Sequence, residues 1–352
     1  MTNTAHINRP PLTWVDNIKL LATLAVIGIH VSAYGVGLEY APGHGNFNWW
    51  VSNFYESWFR CSVPLFVMIT GSLLLPQDIT LNTFLRKRFN RILLPFLFWS
   101  AIYIAYNLAI RFRTQPNPSN NLGGWLWIQI SQGAQYHLWY VYMLIGLYLF
   151  IPILQPWIKT ASNKTILYFL GIWIIVLLLN QLSILKNSAL DLRYFSGYIG
   201  YLILGYYISD RMIIGAKVYK TAILLLVIGF AITFWGTYLV TKAQGSFSST
   251  FYDFLTVNVC LLSIGAFIVI KGSSGKGSDN AIGNLRNVIS KYGYGIYLCH
   301  PFLLNFMVHF KLDYKLLNPV IGIPLTSIIC MALSFVLVYL IGKLPYGKHI
   351  SG

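Results

Sequence analysis

Acidic residues are scarce in this 352-residue chain, nine Asp and Glu against 25 Lys and Arg, and charged residues of both signs make up only 10% of it. An ordinary soluble domain carries roughly a quarter of its residues as charge, so the scarcity excludes that class. Cysteine is nearly absent. Cys61, Cys260, Cys299 and Cys330 lie inside apolar runs with no CxxC pair, which excludes a disulfide framework and leaves them as buried packing residues. No HxxxH pair and no Asp/His cluster has metal-ligand spacing, so no metal is expected. The N-terminus lacks a short apolar core followed by a small-residue cleavage site, and its first apolar run therefore reads as a retained signal anchor. No convincing internal repeat is visible.

What is present is apolar: 56% of all residues are apolar and 16% of all residues are aromatic, with mean hydropathy +0.61. Hydrocarbon offers a peptide group no hydrogen bond, so such a chain must satisfy its backbone in helices or in a closed barrel. Runs such as Ile166 to Leu179 show no alternation of polarity, which selects helices. The expectation is an all-α, polytopic integral membrane protein of about ten transmembrane helices, since a span needs roughly 20 apolar residues. The spans fall near 14–34, 50–75, 91–111, 137–158, 165–183, 195–209, 219–240, 251–271, 290–310 and 318–342. They form a single domain over 1–352, with short tails at 1–13 and 343–352. The polar stretches Arg111 to Gln135 and Gly272 to Lys291 are too short for a soluble domain.

Lys and Arg accumulate on the cytoplasmic side of membrane proteins. Arg9 and Lys19, the 76–91 loop, Lys159 and Lys164, the 209–220 loop, the 271–291 loop, Lys343 and Lys348 all fall on one side of a ten-span chain, whereas 35–49 contains no Lys or Arg. Both tails are therefore expected in the cytoplasm. The net charge of +16 is spread over helix ends rather than gathered on one face, so the expected partner is membrane lipid and not nucleic acid.

Ionisable groups within a span cost free energy and are functional candidates by default. Lys19 and His30 are 11 residues apart, close to three helical turns, which puts them on one face about 16 Å apart. Asp16 is about 21 Å from His30 by the same rise and pairs more naturally with Lys19. The second helix returns from the outer surface with Glu56 and Arg60 at i,i+4 spacing, and Glu56 reaches a depth similar to that of His30. Two readings stay open: Glu56 orients His30, or Glu56 and Arg60 neutralise each other as a structural pair. His137 either belongs to an interfacial aromatic belt with Trp139 and Tyr140 or faces a functional cavity. His300 precedes Pro301, where a helix loses a backbone hydrogen bond and either lines a cavity or is packed by neighbours. His6, His44, His309 and His349 read as solvated or interfacial. The basic run Arg86 to Pro95 suits phosphate but also follows from topology alone. KGSSGKGSDN at 271–280 lacks the P-loop pattern and reads as a linker.

Five segments in order resemble the acyltransferase 3 family of bacterial membrane O-acyltransferases: Trp14 to His30, Cys61 to Gly71, Arg88 to Trp99, Tyr136 to Leu154 and Tyr292 to Leu304. Within it they look closest to the type that O-acetylates enterobacterial common antigen. The resemblance implies a multi-pass protein of the bacterial cytoplasmic (inner) membrane that moves an acyl group, most often acetyl, from cytoplasmic acyl-CoA to a hydroxyl of a cell-surface glycan or its lipid-linked precursor, without a metal. It implies that Lys19, Arg88 and Arg91 bind the phosphates of the acyl-CoA. His30 serves as general base or transient acyl carrier, with Glu56 orienting it. Arg60, His137, Trp139, Tyr140 and His300 line the path of the glycan or glycolipid acceptor. Lys19 stands where the family usually has Arg, so it supplies charge without a bidentate phosphate contact. The competing class is a proton-coupled transporter or flippase of a lipid-linked glycan, with His30, Glu56 and Arg60 as a proton relay. A third, a sensor or scaffold without chemistry, gives the buried ionisable residues of the first helix nothing to do.

Overall fold

A computed structural model describes residues 12–41, 44–182, 197–274 and 281–352. Most of the expected N-terminal tail, including His6 and Arg9, and part of the 271–280 linker lie outside them. Among the described residues the architecture is helical apart from a two-residue antiparallel bridge, Tyr40–Ala41 with His44–Gly45. The helices are α1 (Thr13–Leu38), α2 (Phe47–Phe59), α3 (Ser62–Leu74), α4 (Leu81–Thr114), α5 (Leu122–Ser131), α6 (Trp139–Thr160), α7 (Asn163–Gln181), α8 (Ile199–Tyr206), α9 (Ala216–Gln244), α10 (Val257–Ser273), α11 (Ala281–His309), α12 (Pro319–Ile341) and α13 (Gly347–Ile350).

Eight helical segments of the described residues are long and apolar enough to cross a membrane, α2 and α3 counting as one. Two of the ten expected spans are not among them. The segment expected at 195–209 begins outside the described residues, and its described part is only α8 followed by a π turn, Tyr207–Arg211. The segment expected at 290–310 lies within α11, which is 29 residues long but diluted by tyrosines, His300, Pro301 and Asn305. The stretch 111–135, expected as a loop, contains the short helix α5. The break between α2 and α3 has a local cause. Pro64 has no N–H to offer and its ring crowds the carbonyl four residues back, that of Arg60, where α2 stops.

α1 is the central element, packed against α2, α3, α11 and α12. One flank of it (Ile18, Ala22, Val26) joins the larger core with α3 residues Leu65 and Met68, and the other (Ile27, Val31) joins a second cluster with Ile296 and Leu304 of α11. At 100° per residue, Lys19, Thr23 and His30 fall between these flanks as a polar stripe. Small residues allow the closest helix contacts. A Cβ on Gly71 would meet the Leu202 carbonyl oxygen at 1.8 Å, and one on Gly205 would meet that of Met68 at 2.1 Å, so α3 and α8 touch backbone to backbone.

Candidate active site

The polar stripe of α1 opens at its Lys19 end into a half-open cavity of about 620 Å³. Six cations line it: Lys19, Lys87, Arg88, Arg91, Lys291 and Lys348. No Asp or Glu lines it. The advance to Arg91, four residues from Lys87 and three from Arg88, is about one turn of α4, which aims these side chains to one side of the helix. Lys19 is 3.8 Å from Asp16, whose carboxylate also accepts from Ser290 Oγ. Among the described residues Arg88 makes one long hydrogen bond, 3.4 Å to Gln77 Oε1, lies 5.9 Å from the Phe84 ring centroid, and keeps a buried Nε without a hydrogen-bond partner. Neither Arg88 nor Arg91 has an acidic partner among the described residues. Uncompensated guanidinium groups around a cavity of this size suit a polyanion such as a nucleotide phosphate.

The cavity's inner wall is aromatic, with Tyr140 and Tyr148 from α6 and Tyr294 and Tyr297 from α11. Thr23 also lines it, so the space follows α1 to within seven residues, or about 10 Å, of His30.

Beyond that wall lie three histidines. The His30 ring stacks on His300 at 5.2 Å between centroids, and His137 meets His300 edge-on at 5.3 Å. Tyr136 closes the far side of His30 at 4.8 Å. Pro301 explains the orientation of His300. A proline at 301 has no N–H for the carbonyl of Tyr297, four residues back, and His300 Nδ1 takes that carbonyl instead at 2.7 Å. His137 Nε2 is 3.3 Å from the Leu298 carbonyl, which also accepts from Tyr103 at 2.8 Å. A carbonyl only accepts, so the protons sit on His300 Nδ1 and His137 Nε2. Each neutral ring then presents a bare lone pair, and those two atoms, His300 Nε2 and His137 Nδ1, are buried with no hydrogen-bond partner among the described residues. A hydroxyl donor satisfies such atoms.

One aromatic layer separates the cavity from the histidines. Tyr297 lines the cavity, its hydroxyl donates to the His137 carbonyl, and its ring is 5.3 Å from His137 and 5.9 Å from His300. Tyr140 packs on Tyr297 at 5.4 Å. Trp139 stands apart, stacked on Phe254 at 5.9 Å and partly exposed.

Glu56 does not hydrogen-bond His30. Its carboxylate accepts from Ser32 Oγ and from Arg60 Nη2, and Arg60 also lies over the Tyr252 ring at 4.5 Å and donates to the Tyr252 carbonyl. Arg60 remains within electrostatic reach of His30. The Glu56–Ser32 bond ties α2 to the turn of α1 that follows His30, so Glu56 bears on the histidine through the backbone.

Sequence reasoning placed Lys19, Arg88 and Arg91 together, and the cavity gathers them. It treated His30, His137 and His300 separately, although they form one cluster. It missed Lys291, Lys348 and Tyr297 as lining residues. The one signal for Tyr297 is its place four residues before Pro301.

Fold and site together define a polytopic helical protein with a cationic cavity at one end of its central helix and a histidine cluster deeper along it. The sequence matches a family model described as an acyltransferase domain over residues 12–341, and the chain belongs to that family, acyltransferase 3. No curated protein and no solved structure matches the sequence significantly.

Proposed function

We propose that the protein is an O-acyltransferase of the bacterial inner membrane. It takes an acyl group, acetyl in the first instance, from cytoplasmic acyl-CoA and passes it to a hydroxyl of a cell-surface glycan or its lipid-linked precursor. By its motifs it is of the type that acts on enterobacterial common antigen. The observation that carries this reading is the cavity: six cations at a mouth lined by no Asp or Glu, of which only Lys19 has an acidic neighbour among the described residues, and the α1 stripe leading from it towards His30.

The phosphates of the donor meet Arg88, Arg91 and Lys19, and the thioester-bearing arm, thin and largely apolar, extends along the aromatic wall. The acceptor hydroxyl reaches the histidine cluster from the opposite end, where the bare lone pairs of His137 and His300 accept hydrogen bonds from hydroxyls of the sugar. His30, whose imidazole nitrogen can accept and return a proton, removes the proton of the reacting hydroxyl. The alkoxide oxygen bonds to the thioester carbonyl carbon, the C–S bond breaks, and the departing thiolate takes the proton from His30. Glu56 and Arg60 are positioning residues that hold α2 against α1.

The test is incubation of the detergent-purified protein with radiolabelled acetyl-CoA and a membrane glycolipid extract. Label passing to glycolipid is expected, and the labelled species identifies the acceptor. Absence of transfer from acetyl-CoA and from several longer acyl-CoA donors contradicts the reading and favours the proton-coupled glycan transporter.

A further inference from the structure

A second half-open cavity, about 720 Å³, adjoins the first and has Lys291, Lys348, His349 and Gly352 in common with it. It lies between the basic end of α11 and the end of α12, and Lys343, Tyr292, Tyr339 and Tyr346 complete its polar and aromatic lining. It too has no acidic lining residue. Lys343 Nζ sits 5.0 Å from the Tyr339 ring centroid and Lys291 Nζ 5.4 Å from that of Tyr292, so two of its three lysines are held beside aromatic faces. The Tyr346 ring is largely exposed and makes no ring contact among the described residues.

The wall between the cavities is the segment 346–352, and it is firmly seated. Ser351 is 3% exposed. A Cβ on Gly295 would meet the Ser351 carbonyl oxygen at 2.3 Å, and one on Gly352 would meet Gly295 Cα at 2.6 Å, so glycine at both positions lets this segment lie against α11. Lys348 is thereby fixed at the junction of the two cavities.

We propose that the second cavity is the nucleotide subsite of the donor. It takes a 3′-phosphorylated adenosine, with Lys343 and Lys348 on the 3′-phosphate and Tyr346 available to stack on the purine, while the 5′-pyrophosphate crosses the Lys291 and Lys348 junction towards Arg88 and Arg91. The proposal rests on the acyl-CoA reading above and extends it. Continuity with the first cavity is what favours a nucleotide over an anionic lipid headgroup, which would need only the lysines. Stacking on tyrosine and charge-assisted contacts to phosphate are the ordinary means of holding such a group.

The experiment compares binding of adenosine 3′,5′-bisphosphate and adenosine 5′-monophosphate to the full-length protein in detergent, wild type beside the double variant Lys343→Ala, Lys348→Ala. Both lysines are exposed, so the variant keeps the fold. Wild type is expected to bind the bisphosphate about tenfold more tightly or better, the worth of one charge-assisted contact, and the variant to lose that preference. In the transfer assay the variant should raise KM for acetyl-CoA by a similar factor with kcat unchanged. An equal preference in wild type and variant, or none in wild type, overturns the subsite. Loss of co-purifying anionic phospholipid from the variant with nucleotide preference intact assigns the cavity to lipid and likewise overturns it. Wild-type transfer from acetyl-CoA in the same preparation shows whether the donor reading itself survives.

Discussion

At the residue scale the histidine cluster depends on a missing hydrogen. Pro301 leaves the Tyr297 carbonyl unclaimed by the helix, His300 Nδ1 fills it, and the ring is thereby held with its other nitrogen bare beside His30. Replacing Pro301 by Ala restores an N–H that competes for the same carbonyl and frees the His300 ring to turn. Transfer should fall by about tenfold, a barrier change of about 1.4 kcal/mol, with KM for the donor unchanged; steady-state kinetics on membranes or purified protein check this. The placing of His30 on one face with Lys19, deep in the first helix, was legible in the sequence from spacing alone. Its meeting with His137 and His300 was not, because a three-dimensional meeting of α1, α11 and the turn before α6 leaves no mark on spacing within any one of them.

At the scale of elements, two contacts carry separate predictions. The α3–α8 contact is backbone on backbone at Gly71 and Gly205. Gly71→Val forces the helices apart and should cost about 3 kcal/mol, read as a lowered midpoint of thermal unfolding in detergent. At the opposite end of the molecule from the cationic cavity, Glu39, just past α1, accepts from Asn46, Tyr314 and Lys315. Lys315 first, then Tyr314 and Asn46, hold its carboxyl down at about 2, while burial, with Glu39 beside it, pushes the Tyr314 hydroxyl up to about 12. A carboxyl depressed on folding stabilises the fold fully above its ordinary pKa of about 4.5 and loses that contribution as pH falls through about 2. Protection of residues 36–41 and 312–318 against hydrogen exchange, taken relative to the intrinsic rate at each pH, should therefore hold from pH 7 to about 4.5 and fall as pH drops towards 2. Glu39→Gln should lower that protection at pH 7 and remove most of its fall in the acid range.

Helix boundaries were largely readable because long apolar runs leave hydrocarbon no other solution. The exceptions follow physical lines. α11 is too rich in tyrosine and polar groups to read as an apolar span, since one face of it lines a cavity rather than lipid. Lys291 and Lys348 looked like ordinary basic residues near a membrane surface, because topology and ligand binding place cations at the same helix ends.

At the scale of the whole molecule, the account divides labour along one helix. In the proposed reaction the Lys19 end of α1 meets the donor and the His30 end the acceptor, with the Tyr297 layer between them. Binding and chemistry should then separate on mutation, which a transporter with a shared relay has no reason to show. The decisive measurement is kcat and KM for acetyl transfer from acetyl-CoA in wild type, Arg91→Ala and His30→Ala, with membrane insertion checked for each. The account predicts that Arg91→Ala raises KM for acetyl-CoA about tenfold or more with a smaller change in kcat, and that His30→Ala abolishes turnover while acetyl-CoA still binds. Near-normal turnover in His30→Ala would contradict it.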